Sequence, residues 1–289
     1  MKYQSELVLK IKTELGEAPL WKRENKCLYF VDILGKKLYS YKEDVKKLQI
    51  FEMPSAISCF AFGDSGLIYV MLEDGLYSFD EETEELKFIS KPLDLDEKHR
   101  FNDGKCDPSG RFYVGSMEKI YTHQTGSLYF VDHEFNFNKV LHHEFIVPNG
   151  LSWNEKLQKF YHVDTIKGNV NSYNYDSNTG ELSSKATIIH FDEESGAPDG
   201  MTIDEEGMLW IANWDAYKVT RWNSETGELL DEISVPCEKV TSVAFGGINY
   251  DELYITTGSL ENSKGELSGS VFKAKVKVKG QLLHTFKTN

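Results

Sequence analysis

The sequence predicts an all-β protein, a six-bladed β-propeller of four-stranded antiparallel blades. Three observations predict it. A short aromatic strand signal recurs six times, as Leu28-Tyr29-Phe30-Val31, Ile68-Tyr69-Val70, Phe112-Tyr113-Val114, Phe160-Tyr161-His162, Leu209-Trp210-Ile211 and Leu253-Tyr254-Ile255. The key aromatics, at 29, 69, 113, 161, 210 and 254, stand 40, 44, 48, 49 and 44 residues apart, a period in the forties that suits one blade per repeat. Helical periodicity is scarce, and six blades fit 289 residues.

Taken in order, the chain opens on Glu6-Leu7-Val8-Leu9-Lys10-Ile11, a strand-like run ahead of the first repeat. It is expected to pair with the last blade and close the ring, which removes two exposed edges and makes residues 1–289 one domain. Each aromatic signal is followed by a second strand: Lys37 to Tyr41, Gly75 to Phe79, Ser127 to Phe130, Val170 to Tyr173, Val219 to Trp222 and Ser270 to Phe272. Several units then end in a charged turn such as Asp176-Ser177-Asn178-Thr179-Gly180-Glu181. A β-sandwich does not predict six evenly spaced copies.

Composition narrows the function. With 32 basic and 46 acidic residues the formal charge is -14, and the one lysine-rich stretch, Lys273 to Lys279, alternates with apolar residues as a strand does. A nucleic-acid partner is not expected, because a phosphate backbone needs a basic face. No apolar run reaches membrane-spanning length and the first thirty residues carry charges throughout, so a cytoplasmic protein without membrane attachment is expected. The cysteines at 27, 59, 106 and 237 lie far apart and read as reduced core thiols.

The chemistry lies about eleven residues before each key aromatic. The polar residues there are Glu17, Ser58, Asn102 with Asp103, Asn149, Asp199 and Ser242, at offsets of 12, 11, 11, 12, 11 and 12. One phase of the repeat holds all six. The first strand of a propeller blade lines the central channel, so these residues are expected to converge on one ring. Taken singly, an Asn, Asp or Ser before Gly often only caps a turn. Together they form a cluster of oxygens with two or three carboxylates, which repels itself unless a hard divalent cation neutralises it.

Four motifs now stand in series: Gly16-Glu17-Ala18-Pro19-Leu20-Trp21, Arg100-Phe101-Asn102-Asp103-Gly104-Lys105, Pro148-Asn149-Gly150-Leu151 and Pro198-Asp199-Gly200-Met201. In order and spacing they resemble the signatures of the regucalcin (senescence marker protein)/gluconolactonase/luciferin-regenerating enzyme-like family, over essentially the whole chain. The resemblance implies one divalent metal held by Glu17, Asn149 and Asp199, with Ca²⁺ as the first expectation and Zn²⁺, Mg²⁺ or Mn²⁺ as alternatives. It also implies hydrolysis of a small-molecule sugar lactone, with Arg100 and Asn102 contacting the substrate. Some members carry a further substrate-binding carboxylate after a Gly-Thr-Met triplet; here Gly115-Ser116-Met117 leads at once into Glu118, close to that position but out of register.

Asp199 is the expected general base, and Asp103, next to Asn102 on the ring, is a second candidate and a substrate-side residue. No obligate protein partner is indicated. There is no Gly-x-Ser-x-Gly elbow, no His-Glu-x-x-His and no phosphate loop, and His142, His143 and His162 read as structural. Two other functions suit the same fold: a metal-dependent esterase or organophosphate hydrolase, and a non-catalytic calcium-binding propeller.

Overall fold

The protein, seen in a computed structural model, is described at residues 1–260, 263 and 265–288. Six sheets stand in a ring, a six-bladed β-propeller. Each blade runs outward from an innermost strand: Gly16–Lys22, Ile57–Phe62, His99–Cys106, Pro148–Asn154, Ala197–Ile203 and Val240–Gly246 for blades 1 to 6. The recurrent aromatics sit on the second strand of each blade, and all six are buried.

The repeat has a packing reason. The second-strand aromatic of one blade lies against the innermost strand of the next: Tyr29 meets Phe62 at 5.0 Å, Tyr113 meets Trp153 at 5.2 Å and Trp210 meets Phe245 at 6.2 Å. Tyr254 of blade 6 stacks on Trp21 of blade 1 at 5.2 Å, so the same contact seals the ring. Aromatic pairs at such distances add to the burial of their large apolar area.

The N-terminus supplies a strand to each of two blades. Glu6–Leu9 pairs antiparallel with Val271–Lys275 as the outer strand of blade 6. Lys2–Gln4, which the sequence pattern leaves unassigned, pairs parallel with Leu229–Ser234 and gives blade 5 a fifth strand. The lysine-rich stretch is strand only as far as Lys275. Beyond it the chain becomes a strap across one end of the channel. Gly280 N–H donates to Tyr250 O, Phe286 N–H donates to Phe62 O, and the Phe286 side chain is fully buried against Tyr69 and Phe112. All four cysteines are buried free thiols.

Candidate active site

Every innermost strand carries a register shift at its ring residue. The shifts fall between Glu17 and Leu20, Ile57 and Cys59, Phe101 and Gly104, Asn149 and Leu151, Pro198 and Met201, and Val240 and Ser242. A bulge re-aims a side chain and breaks the alternation of faces. Here it lets six consecutive blades direct a polar residue inward at one level. Glu17, Ser58, Asn102, Asp103, Asn149, Asp199 and Ser242 are all at most 7% exposed. The Asn-Gly and Asp-Gly pairs are therefore strand segments, not turns. Their glycines answer crowding at the axis: a Cβ on Gly200 would sit 2.0 Å from Ser242 Oγ, and one on Gly150, where φ is +28°, would sit 2.7 Å from Asp199 O.

The ring divides by hydrogen bonding. Ser58 Oγ donates to Phe101 O at 2.6 Å, which ties blade 2 to blade 3, and Ser242 bonds the Glu17 carboxylate. Arg100, Asn102 and Asn149 form one connected group. Arg100 Nη1 donates to Phe101 O at 2.7 Å and to Asn102 Oδ1 at 2.8 Å. Asn102 Nδ2 donates to Pro148 O and to Asn149 Oδ1, both at 2.9 Å, and Asn149 Nδ2 donates to Thr165 Oγ1 at 2.8 Å. Asp103 Oδ1 accepts from Gly104 N–H at 2.7 Å, and Glu17 Oε2 accepts from Ala18 N–H at 2.9 Å. Asp199 Oδ1 is buried without a partner.

The electrostatics are those of an undercompensated acidic pocket. Burial first, and then the Asp103 charge, push the Glu17 carboxyl up to about 8. Burial, then Glu17 and Asp103, raise Asp199 well above the ordinary carboxylate value. Asp103 is raised by burial, which Lys105 opposes. Burial also draws Arg100 down to about 10 and lowers Lys105. Three carboxylates in a space taken from water favour binding a cation or keeping a proton.

The predicted residues Glu17, Asn102, Asp103, Asn149 and Asp199 meet on this ring, with Arg100 joined through Asn102. Glu118 stands apart: its carboxylate accepts hydrogen bonds from Thr122 N–H and His123 N–H within its own loop, at 3.2 and 3.1 Å. Among the described residues no three His, Cys, Asp or Glu side chains lie close enough to hold a metal ion, so a set built on Glu17 and Asp199 needs the Asn149 amide oxygen. Two residues next to the ring carry no prediction from sequence. Thr165 belongs to the turn after the strand Lys159–Asp164, with no motif of its own, and Lys105, quoted within the second motif, stays unassigned because the bulge at 101–104 hides which face it takes.

Comparison with known proteins places this geometry in company. A family profile described as the SMP-30/Gluconolactonase/LRE-like region matches residues 15–259. YvrE of Bacillus subtilis (strain 168), whose name provisionally assigns it sugar lactone lactonase activity, is 33% identical over 271 residues, 92% of each chain. Regucalcin of Danio rerio is 33% identical over 255 residues, 87% of this chain and 85% of its own. A solved structure of a luciferin-regenerating enzyme superimposes with a TM-score of 0.91 at 31% identity, covering 98% of this chain and 99% of that one.

Proposed function

The chain belongs to the SMP-30/gluconolactonase/LRE-like family, and from that premise we propose that it is a divalent-metal-dependent hydrolase that opens sugar lactones. One observation carries the reading: Asp199 presents a buried carboxylate oxygen with no partner, beside Glu17 and Asn149 on the channel ring. The donor set suits a hard cation, since carboxylate and amide oxygens are what such ions take and three protein ligands leave open positions. Bound there, the ion, Ca²⁺ in the first place, supplies Lewis-acid polarisation of the lactone carbonyl and activation of the attacking water.

The chain's own residues do the rest. Asp199, ionised, accepts the proton of the attacking water, and Asp103 is the alternate acceptor. Among the described residues Arg100 donates through Nη1, which leaves the other edge of its guanidinium fork for substrate oxygens. Asn102 bonds both Arg100 and Asn149, so it fixes the substrate-side donor relative to the candidate metal ligand. Buried thiols suit a reducing compartment such as the cytoplasm.

The test is metal removal and restoration. Protein stripped with a chelator should release no acid from gluconolactone and should recover turnover on addition of Ca²⁺, Zn²⁺, Mg²⁺ or Mn²⁺. Parallel assays on an aryl ester and a paraoxon-type organophosphate distinguish a lactonase from the other hydrolases that this site could support. Absence of metal-dependent turnover on every substrate would leave only the calcium-binding propeller.

A further inference from the structure

Below the ring, the channel holds a second polar site of opposite character. A cavity of about 60 Å³ lies between the middle of the innermost strands and the C-terminal strap. Leu20, Lys105, Ser152, Thr202 and Ala244 come from the blades, and Gln281 and His284 from the strap. That space is room for a few water molecules or one small ion with residual water.

Its lining carries one full cation, Lys105, while burial keeps His284, which stands 3.7 Å from Glu155, towards the neutral form. In a chain of net charge -14, no Asp or Glu among the described residues lines this cavity. Lys105 Nζ makes one hydrogen bond among the described residues, to Met201 O at 2.6 Å, and an ammonium has three N–H donors. Its nearest charge, Asp103, acts on it through space without forming an ion pair among the described residues. One further donor is unspent: Ser152 Oγ belongs to a residue 2% exposed that lines the cavity, and it has no partner among the described residues. Buried donors left without acceptors cost stability, and an anion satisfies several at once.

We propose that this cavity is a binding site for one small monovalent anion of halide size, held by the Lys105 ammonium and the Ser152 hydroxyl. The choice of anion follows from the walls. A single full cation matches one negative charge, and Leu20, Trp21, Ala244 and Phe245 favour a weakly hydrated ion over a phosphate dianion, which would need more donors than the site offers. The site is separate from the ring above and does not depend on the lactonase reading.

Trp21 and Trp153 line the cavity and supply a readout. Full-length protein is titrated with iodide against fluoride at constant ionic strength, with and without divalent metal, while tryptophan fluorescence is followed. A saturable quenching component is expected in both conditions; Ser152→Ala should weaken it several-fold and Lys105→Met should remove it. Crystals soaked in bromide should show an anomalous peak in contact with Lys105 Nζ. Should Lys105→Met fail to fold, Ser152→Ala and the bromide map decide the matter. Quenching that is linear and equal in wild type and Ser152→Ala, with no bromide peak, would mean a water-filled cleft and overturn the proposal.

Discussion

The residues of the ring are set apart because each is buried and the carboxylates among them outnumber the cations beside them. Asp199 is the sharpest case, with its Oδ1 unpartnered and burial, then Glu17 and Asp103, raising its proton affinity. As candidate ligand and base, Asp199→Ala is expected to lower lactone turnover by about 10²–10⁴-fold, the range of one acid–base group, while circular dichroism stays near wild type. Turnover within a few-fold of wild type would remove Asp199 from the chemistry. The same crowding predicts a pH dependence in metal-free protein. A carboxyl such as Glu17, raised on folding from 4.5 to about 8, holds its proton longer in the folded state. Its contribution to stability is complete below about 4.5 and is lost as pH rises towards 8. The melting temperature of chelated protein should therefore fall across that window, and less so for Glu17→Gln; a flat profile for wild type would contradict it.

At the scale of the strand, the bulge is the device that makes a site from a sheet. Regular alternation would send successive side chains to opposite faces, and the register shift at each innermost strand lets the ring residue face the axis without disturbing the packed residues that follow. Glycine is required where neighbouring innermost strands press together. Gly200→Ala places a methyl 2.0 Å from Ser242 Oγ and 2.7 Å from Ser242 Cα, so backbone must move. Overpacking of this kind costs about 1–3 kcal/mol. A chemical denaturation midpoint unchanged from wild type would show that the strands are not so closely held. The displaced strand carries Asp199, so turnover should fall as well.

For the whole molecule, closure rests on both ends of the chain. The N-terminal strands cover the edges of blades 5 and 6, and the C-terminal strap runs from blade 6 across to blades 2 and 3. Phe286 is the anchor of the strap, with none of its surface exposed and its ring 4.9 Å from Tyr69. Phe286→Ala should destabilise the protein by about 3–5 kcal/mol, read as a shift in urea unfolding. A change below about 1 kcal/mol would mean that the strap lies loosely on the blades. Because the strap floors the Lys105 cavity, the same variant should also lose the saturable iodide quenching.

The amino-acid sequence by itself determined the ring. Six aromatics at a period in the forties and six polar residues at one offset of 11 or 12 are local facts, legible because a propeller repeats its contacts through neighbouring units. It likewise carried the pairing of Glu6–Leu9 with the last blade and the family to which the chain belongs. What it could not carry depends on contacts with no period. Lys2–Gln4 joins blade 5 through a parallel pairing with a strand more than two hundred residues away, and the strap has no repeat partner at all. The bulges decided the rest: by breaking alternation at 101–104 they set Lys105 beneath the carboxylates, and Glu118 folds onto its own loop through hydrogen bonds that spacing alone does not specify. Periodicity fixes which residues share a level of the channel. Only the packed tertiary structure decides which of them remain without a partner, and so are open to bind.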